Sequence, residues 1–216
     1  DSLEFTFFLS YPKTEAIEVM IENRGSYQFF LINSGRTPGV NSSFRMEGLT
    51  DCIAPVTSIP QSEWRAGLPE PSYSRIETEV EHVVVHHSAG SNTNQDFTQV
   101  VRDIYIYHTE VNGWSDIGYN YLIAQDGSIY NGRDPGNLAQ DNVLGAHFCG
   151  SNSTTMGVCL LGNFQTASIT TSTRLSLQNL VAWKLEKENL TPYVTHQHDL
   201  CLYEALIGHR DGCSTL

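Results

Sequence analysis

Apolar and polar residues alternate through the first fifty positions, in Phe5, Phe7 and Leu9, then Ile17, Val19 and Ile21, then Phe29 and Leu31. A period of two is the signature of strands with one face covered. Turn-forming stretches, Tyr11-Pro12-Lys13-Thr14 and Asn23-Arg24-Gly25-Ser26, separate the runs. Residues 1–55 are therefore expected to form a small β-rich domain or appendage. Prolines at 55, 60, 69 and 71 then mark a linker or extended arm.

The pattern changes beyond it. Val80 to His86 reads as a β-branched strand, followed by a loop of small polar residues, Ser88 to Asn94. Phe97, Val100, Val101, Ile104, Tyr105 and His108 recur at helical spacing and predict a helix over about 95–109. Tyr119 to Ala124 and Ser128 to Tyr130 flank Asp126-Gly127, which predicts a hairpin with a two-residue turn. Met156 to Leu161 is a further apolar strand. A second helix is expected over about 172–189, with Leu175, Leu180, Trp183 and Leu185 among its apolar positions and Pro192 beyond its end. Strands interleaved with helices predict a mixed α/β domain over residues 56–216.

Composition narrows the function. A chain of 216 residues, 40% hydrophobic and 17% charged, can bury a sizeable core. Its net charge of −12, with twelve Lys and Arg in all, counts against nucleic acid as a partner. No apolar run approaches the ~20 residues of a membrane span. Five cysteines leave one unpaired if the rest pair, so either one thiol is free or a sixth cysteine lies outside the chain. The cysteines, and a first residue that is not Met, tilt expectation toward an exported protein, secreted, periplasmic or in the cell envelope.

The candidate chemistry is histidine chemistry. His86-His87 ends the strand at 80–86, and His209 lies in Gly208-His209-Arg210-Asp211. A catalytic zinc ion is held by three protein ligands with one position open to water, which makes His86 and His209 candidate ligands. Neighbouring residues on a strand point to opposite faces, so the pair alone does not say which ring would bind. His196 and His198, two apart, form a rival pair, although ordinary surface histidines are the commoner reading.

Several segments, taken in order, carry a resemblance. Val83 to Ala89, Gly113-Trp114-Ser115-Asp116-Ile117-Gly118-Tyr119-Asn120-Tyr121, Asp126-Gly127 with Gly132-Arg133, Gly145-Ala146-His147, Gly157 to Phe164, and Gly208 to Asp211 resemble the N-acetylmuramoyl-L-alanine amidases. More narrowly, they are similar to the type 2 amidase and peptidoglycan recognition protein family. The resemblance covers residues from about 58 to the end and implies a central mixed sheet flanked by helices with a zinc cleft. It implies zinc as cofactor, peptidoglycan or a muropeptide as partner, and a monomer. The ligands implied are His86, His209 and a cysteine eight residues after His209, which falls one position beyond Leu216. Cys213 is the substitute within the chain, against a disulfide with Cys201 or another cysteine. Tyr119 and Thr215 match groups that stabilise the oxyanion. His108, His147, Arg133 and Asn120 match substrate-binding positions. Trp114 is expected to pack in the core. After Arg133 the chain reads Asp134-Pro135-Gly136 where many relatives have Gly-Trp, so Asp134 is expected to disfavour an acidic stem-peptide residue.

Overall fold

A computed structural model of the chain describes residues 55–198 and 201–212. The β-rich segment expected over 1–55, together with Cys213 and Thr215, lies outside the described residues, apart from position 55 itself. Within them, α1 (Gln61–Trp64), β1 (His82–His87), α2 (Phe97–Ile106), β2 (Tyr121–Ile123), β3 (Ile129–Asn131), β4 (Thr155–Leu160) and α3 (Thr171–Lys187) follow in order. Then come β5 (Thr195–His198), β6 (Cys201–Glu204), β7 (Leu206–Gly208) and the short α4 (His209–Gly212).

The main sheet has strand order β3-β2-β4-β1-β7. β1 runs parallel to both β4 and β7, β2 runs parallel to β4, and β3 is antiparallel to β2. Every residue of β4 is buried, as expected of a central parallel strand covered on both faces. Val83, Met156, Val158 and Leu160 pack with Leu180, Val181 and Leu185 of α3 on one face. Leu122, Cys159 and Leu161 pack with Phe97, Val101 and Tyr105 of α2 on the other. Cys159 is the register partner of both His86 and Leu122, so all three share that second face. The helix α2 covers β2 and β4, while Val84 and Ile207 beside them meet Phe148 and Tyr203 instead.

Several expectations change in detail. Asp96 caps α2 by accepting from Gln99 N at 3.0 Å, but beyond Ile106 the helix widens into a π turn over Tyr107–Val111 that carries His108. The β2–β3 hairpin has a three-residue loop rather than a two-residue turn. Gly127 N bonds to Ala124 O and Ala124 N to Ser128 O, with Gly127 at φ +92° in the left-handed bulge position. In α3, Leu175 is exposed, and Lys184 is buried in its place, paired with Asp141 at 2.6 Å and Glu188 at 2.5 Å. The proline-bearing stretch is no free linker from Ile59 onward. Ile59 bridges to Tyr130, Trp64 is 1% exposed, and Gln61 donates to Asp116 and to Gly132 O. Strands β5, β6 and β7 were not legible from the pattern.

Candidate functional site

The carboxyl ends of β1 and β7 lie side by side, because Val85 pairs with Gly208. His86 follows on β1, and His209 opens α4 directly after β7, which is how two residues far apart in the chain meet. Crevices at the carboxyl ends of parallel strands are the usual ligand sites of open α/β sheets. The rings of His86 and His209 are 4.4 Å apart between centroids. His147, from the loop before β4, completes the group, its Nδ1 lying 3.1 Å from His86 Nε2. Its position depends on two glycines, since a Cβ on Gly157 or Gly145 would stand 2.5 Å or 2.6 Å from its ring.

Burial keeps these imidazoles neutral. It lowers the pKa of His86 to about 2, with His147 and His209 adding like-charge repulsion. Burial lowers His147 to about 3, assisted by His209 and Arg133. It lowers His209 as well, with His87 contributing. A neutral imidazole keeps a nitrogen lone pair for a cation. His87, the other member of the pair, turns away from this cluster and accepts a hydrogen bond from Phe164 N at 3.1 Å.

Tyr119 stands over the cluster, with ring centroids 5.1 Å from His86, 5.6 Å from His108 and 6.5 Å from His147. Burial raises its pKa, as does its hydrogen-bonded neighbour Cys159, so the phenol stays protonated. His108 accepts from Gly118 N through Nδ1 at 3.1 Å, which leaves the ring proton on Nε2, and burial followed by Arg133 lowers its pKa to about 4. Arg133 is 7% exposed, donates from Nε to the Tyr73 hydroxyl, and holds a buried Nη1 with no partner among the described residues.

Some assignments from sequence change. Asn120 is fully buried, donates to Val143 O and Gln140 O, and accepts from Gly157 N, so its amide ties the 140–143 loop to β4 instead of facing a ligand. Trp114 does not pack in the core. It is 39% exposed and lies against the His108 ring at 4.6 Å. The carboxylate of Asp134 is ion-paired with Arg75 and capped by Gly136 N, so its charge is answered within the protein. His196 and His198 do share β5, but both nitrogens of buried His198 are engaged, on Ser151 O and Thr154 Oγ1, and His196 is half-buried with its Nε2 enclosed, so neither is an ordinary surface histidine. Cys201 carries a free thiol, which removes it as a disulfide partner of Cys213, while Cys149 is disulfide-bonded. Sequence reasoning missed Phe148 and the carboxylate of Asp211, which accepts from Gly208 N at 2.7 Å and braces the turn carrying His209. The Gly-His-Arg-Asp motif contained that second signal.

Zinc fits the donor chemistry here in part. Two neutral, converging imidazoles suit a borderline cation. Among the described residues, no group of three His, Cys, Asp or Glu is arranged to hold a metal, and the position the resemblance assigns to the third ligand is outside them.

Comparison with known proteins agrees with this architecture. Residues 77–214 match the family model described as N-acetylmuramoyl-L-alanine amidase. Peptidoglycan-recognition protein SC2 of Drosophila melanogaster is 32% identical over 146 residues, spanning 66% of this chain and 76% of its own. The structure of wild-type Drosophila PGRP-LB superimposes with a TM-score of 0.58 at 29% identity, covering 74% of this chain and 85% of that one. Human PGRP-IβC, solved in complex with glycosamyl muramyl pentapeptide, gives a TM-score of 0.58 at 28% identity over 73% and 86% of the two chains. With its histidine cluster at the ends of β1 and β7 and its match over residues 77–214, the chain belongs to the N-acetylmuramoyl-L-alanine amidase family, alongside the peptidoglycan recognition proteins.

Proposed function

We propose that the chain is a zinc-dependent hydrolase that cleaves the amide bond between N-acetylmuramic acid and the L-alanine of peptidoglycan stem peptides. The observation that carries this reading is the convergence of His86 and His209, both held neutral, beneath Tyr119. His86 and His209 would hold the ion, with a third ligand supplied from outside the described residues. Bound zinc polarises a carbonyl and makes hydroxide available near neutral pH.

The protein's own residues do the rest. Tyr119 keeps its proton at every working pH and donates it in a hydrogen bond toward the oxygen that gains charge, with Thr215 as a second donor. Tyr119 leaves its hydrogen bond to Cys159 to do so. His108 offers its Nε2 proton to the substrate, and His147 orients His86. The unpartnered Nη1 of Arg133 suits a stem-peptide carboxylate. The disulfide at Cys149 supports an oxidising compartment and thus export to the cell envelope or beyond. The protein acts as a monomer.

A second reading is a module that binds muropeptides without cutting them. It is supported by the similar proteins, which are named for peptidoglycan recognition, one of them solved with a muramyl pentapeptide bound. Mass spectrometry of peptidoglycan fragments after incubation, with and without a zinc chelator, separates the two. Chelator-sensitive release of stem peptides with a free L-alanine amine establishes the amidase. Binding without release establishes the recognition module and overturns the hydrolase.

A further inference from the structure

We propose that Phe148 is a positioning residue for His209, acting through Gly212. This inference rests on the reading of His209 as a metal ligand. The turn α4 that carries His209 buries none of its own side chains, so its place must be set from outside. Phe148 lies beneath it, 1% exposed, with its ring 6.1 Å from that of His209. The turn meets the ring tightly at Gly212, where an added Cβ would overlap the edge of the Phe148 ring. A glycine stands there because the ring leaves no room for anything larger.

The ring itself is held from behind. His198 of β5 and Tyr203 of β6 each lie 6.0 Å from it, centroid to centroid. Its backbone is held too. The side-chain oxygen of Asn152 accepts from both His147 N, at 2.7 Å, and Phe148 N, at 2.8 Å. One segment therefore carries His147 against His86 and Phe148 against the His209 turn. Cys149, the next residue, brings its sulfur within 3.7 Å of His209 Nε2. A shift of Phe148 thus moves His209 relative to the other two imidazoles. Residues that orient a ligand without touching the metal typically change affinity by about 10–100-fold when replaced.

The test is size exchange, read as metal affinity rather than activity. Zinc binding is measured by competition with a chromophoric chelator for the full chain and for Gly212→Ala, Phe148→Ala and the double variant Phe148→Leu with Gly212→Ala. Thermal unfolding is followed in parallel. Each single variant is expected to bind zinc at least tenfold more weakly. The double variant, in which leucine lacks the ring edge that alanine would strike, is expected to recover most of that loss. Wild-type affinity in both single variants, or a double variant no better than Gly212→Ala, overturns the inference, as does lowered thermal stability with unchanged affinity. A wild-type chain that binds no zinc removes the reading of His209 as a ligand, and this inference with it.

Discussion

Two groups of histidines lie on the same face of β1, and they have opposite meanings. His86 meets His147 and His209 at the carboxyl ends of the strands. Four residues earlier, His82 meets His198 at 5.3 Å and His196 at 5.9 Å between ring centroids. Burial is the largest cause lowering the pKa of both His82 and His86. What differs is what holds them and where they lie. In the earlier group, His82 Nδ1 lies 2.9 Å from Glu204 O and His198 is bonded to Ser151 O and Thr154 Oγ1, while His82 Nε2 and His196 Nε2 are buried without a partner among the described residues. Those bonds fasten the β5–β6 hairpin to the sheet. In the later group, His86 Nε2 faces His147 Nδ1, His209 Nε2 lies 3.7 Å from Cys149 Sγ, and His209 is in part open to solvent. The later group is the candidate site because it lies at the carboxyl ends of β1 and β7, beneath Tyr119.

The sharpest break of this contrast is His86→Ala or His209→Ala. Either is expected to bring hydrolysis to background and abolish zinc binding while the fold survives, checked by chelator competition and circular dichroism. Full activity in either variant would end the zinc assignment. Next in size is Tyr119→Phe, which removes one hydroxyl. Turnover should fall on the order of 10²–10³-fold with zinc still bound, as for loss of one oxyanion donor. An unchanged rate would make Tyr119 structural.

Acidification probes the later group as a whole. In the metal-free protein, His86, His147 and His108 have native pKa values of about 2, 3 and 4, against an unfolded value of about 6.5. Below pH ~6.5 the unfolded chain binds protons that the native state refuses. Stability is therefore complete above that pH and falls toward pH 4, by up to ~1.4 kcal/mol per pH unit for each group. Urea unfolding at pH 7 and pH 5 measures it, and His86→Ala should flatten the slope. A slope that stays the same in that variant would mean His86 does not contribute. The smallest effect belongs to the earlier group. His82→Leu loses the bond to Glu204 O and should change stability by ~1–2 kcal/mol with zinc affinity unchanged. A loss of affinity there would erase the distinction between the two groups.

Much of this was legible from local pattern. Val80 to His86 reads as a strand, Phe97 to His108 as a helical repeat, and the Gly-His-Arg-Asp segment as a functional turn, because each depends on residues close in sequence. The β5–β6 hairpin was not legible, since Thr195–His198 and Cys201–Glu204 lack a clean alternation of apolar and polar residues and gain their order from His82 and Phe148. Lys184 reads as a surface residue until Asp141, from a distant loop, neutralises it. Asp134 reads as a bare charge until Arg75 pairs with it.

The sequence by itself determined a mixed α/β domain, its family motifs, and His86 and His209 as the residues to watch. Only the tertiary structure decided that His86 faces His147 and His209 while His87 turns to Phe164, because the direction of a strand side chain is set by register with distant partners. It alone brought His147 and Phe148 to the same turn, since parallel pairing of β1 with β4 and β7 joins segments that no local pattern connects.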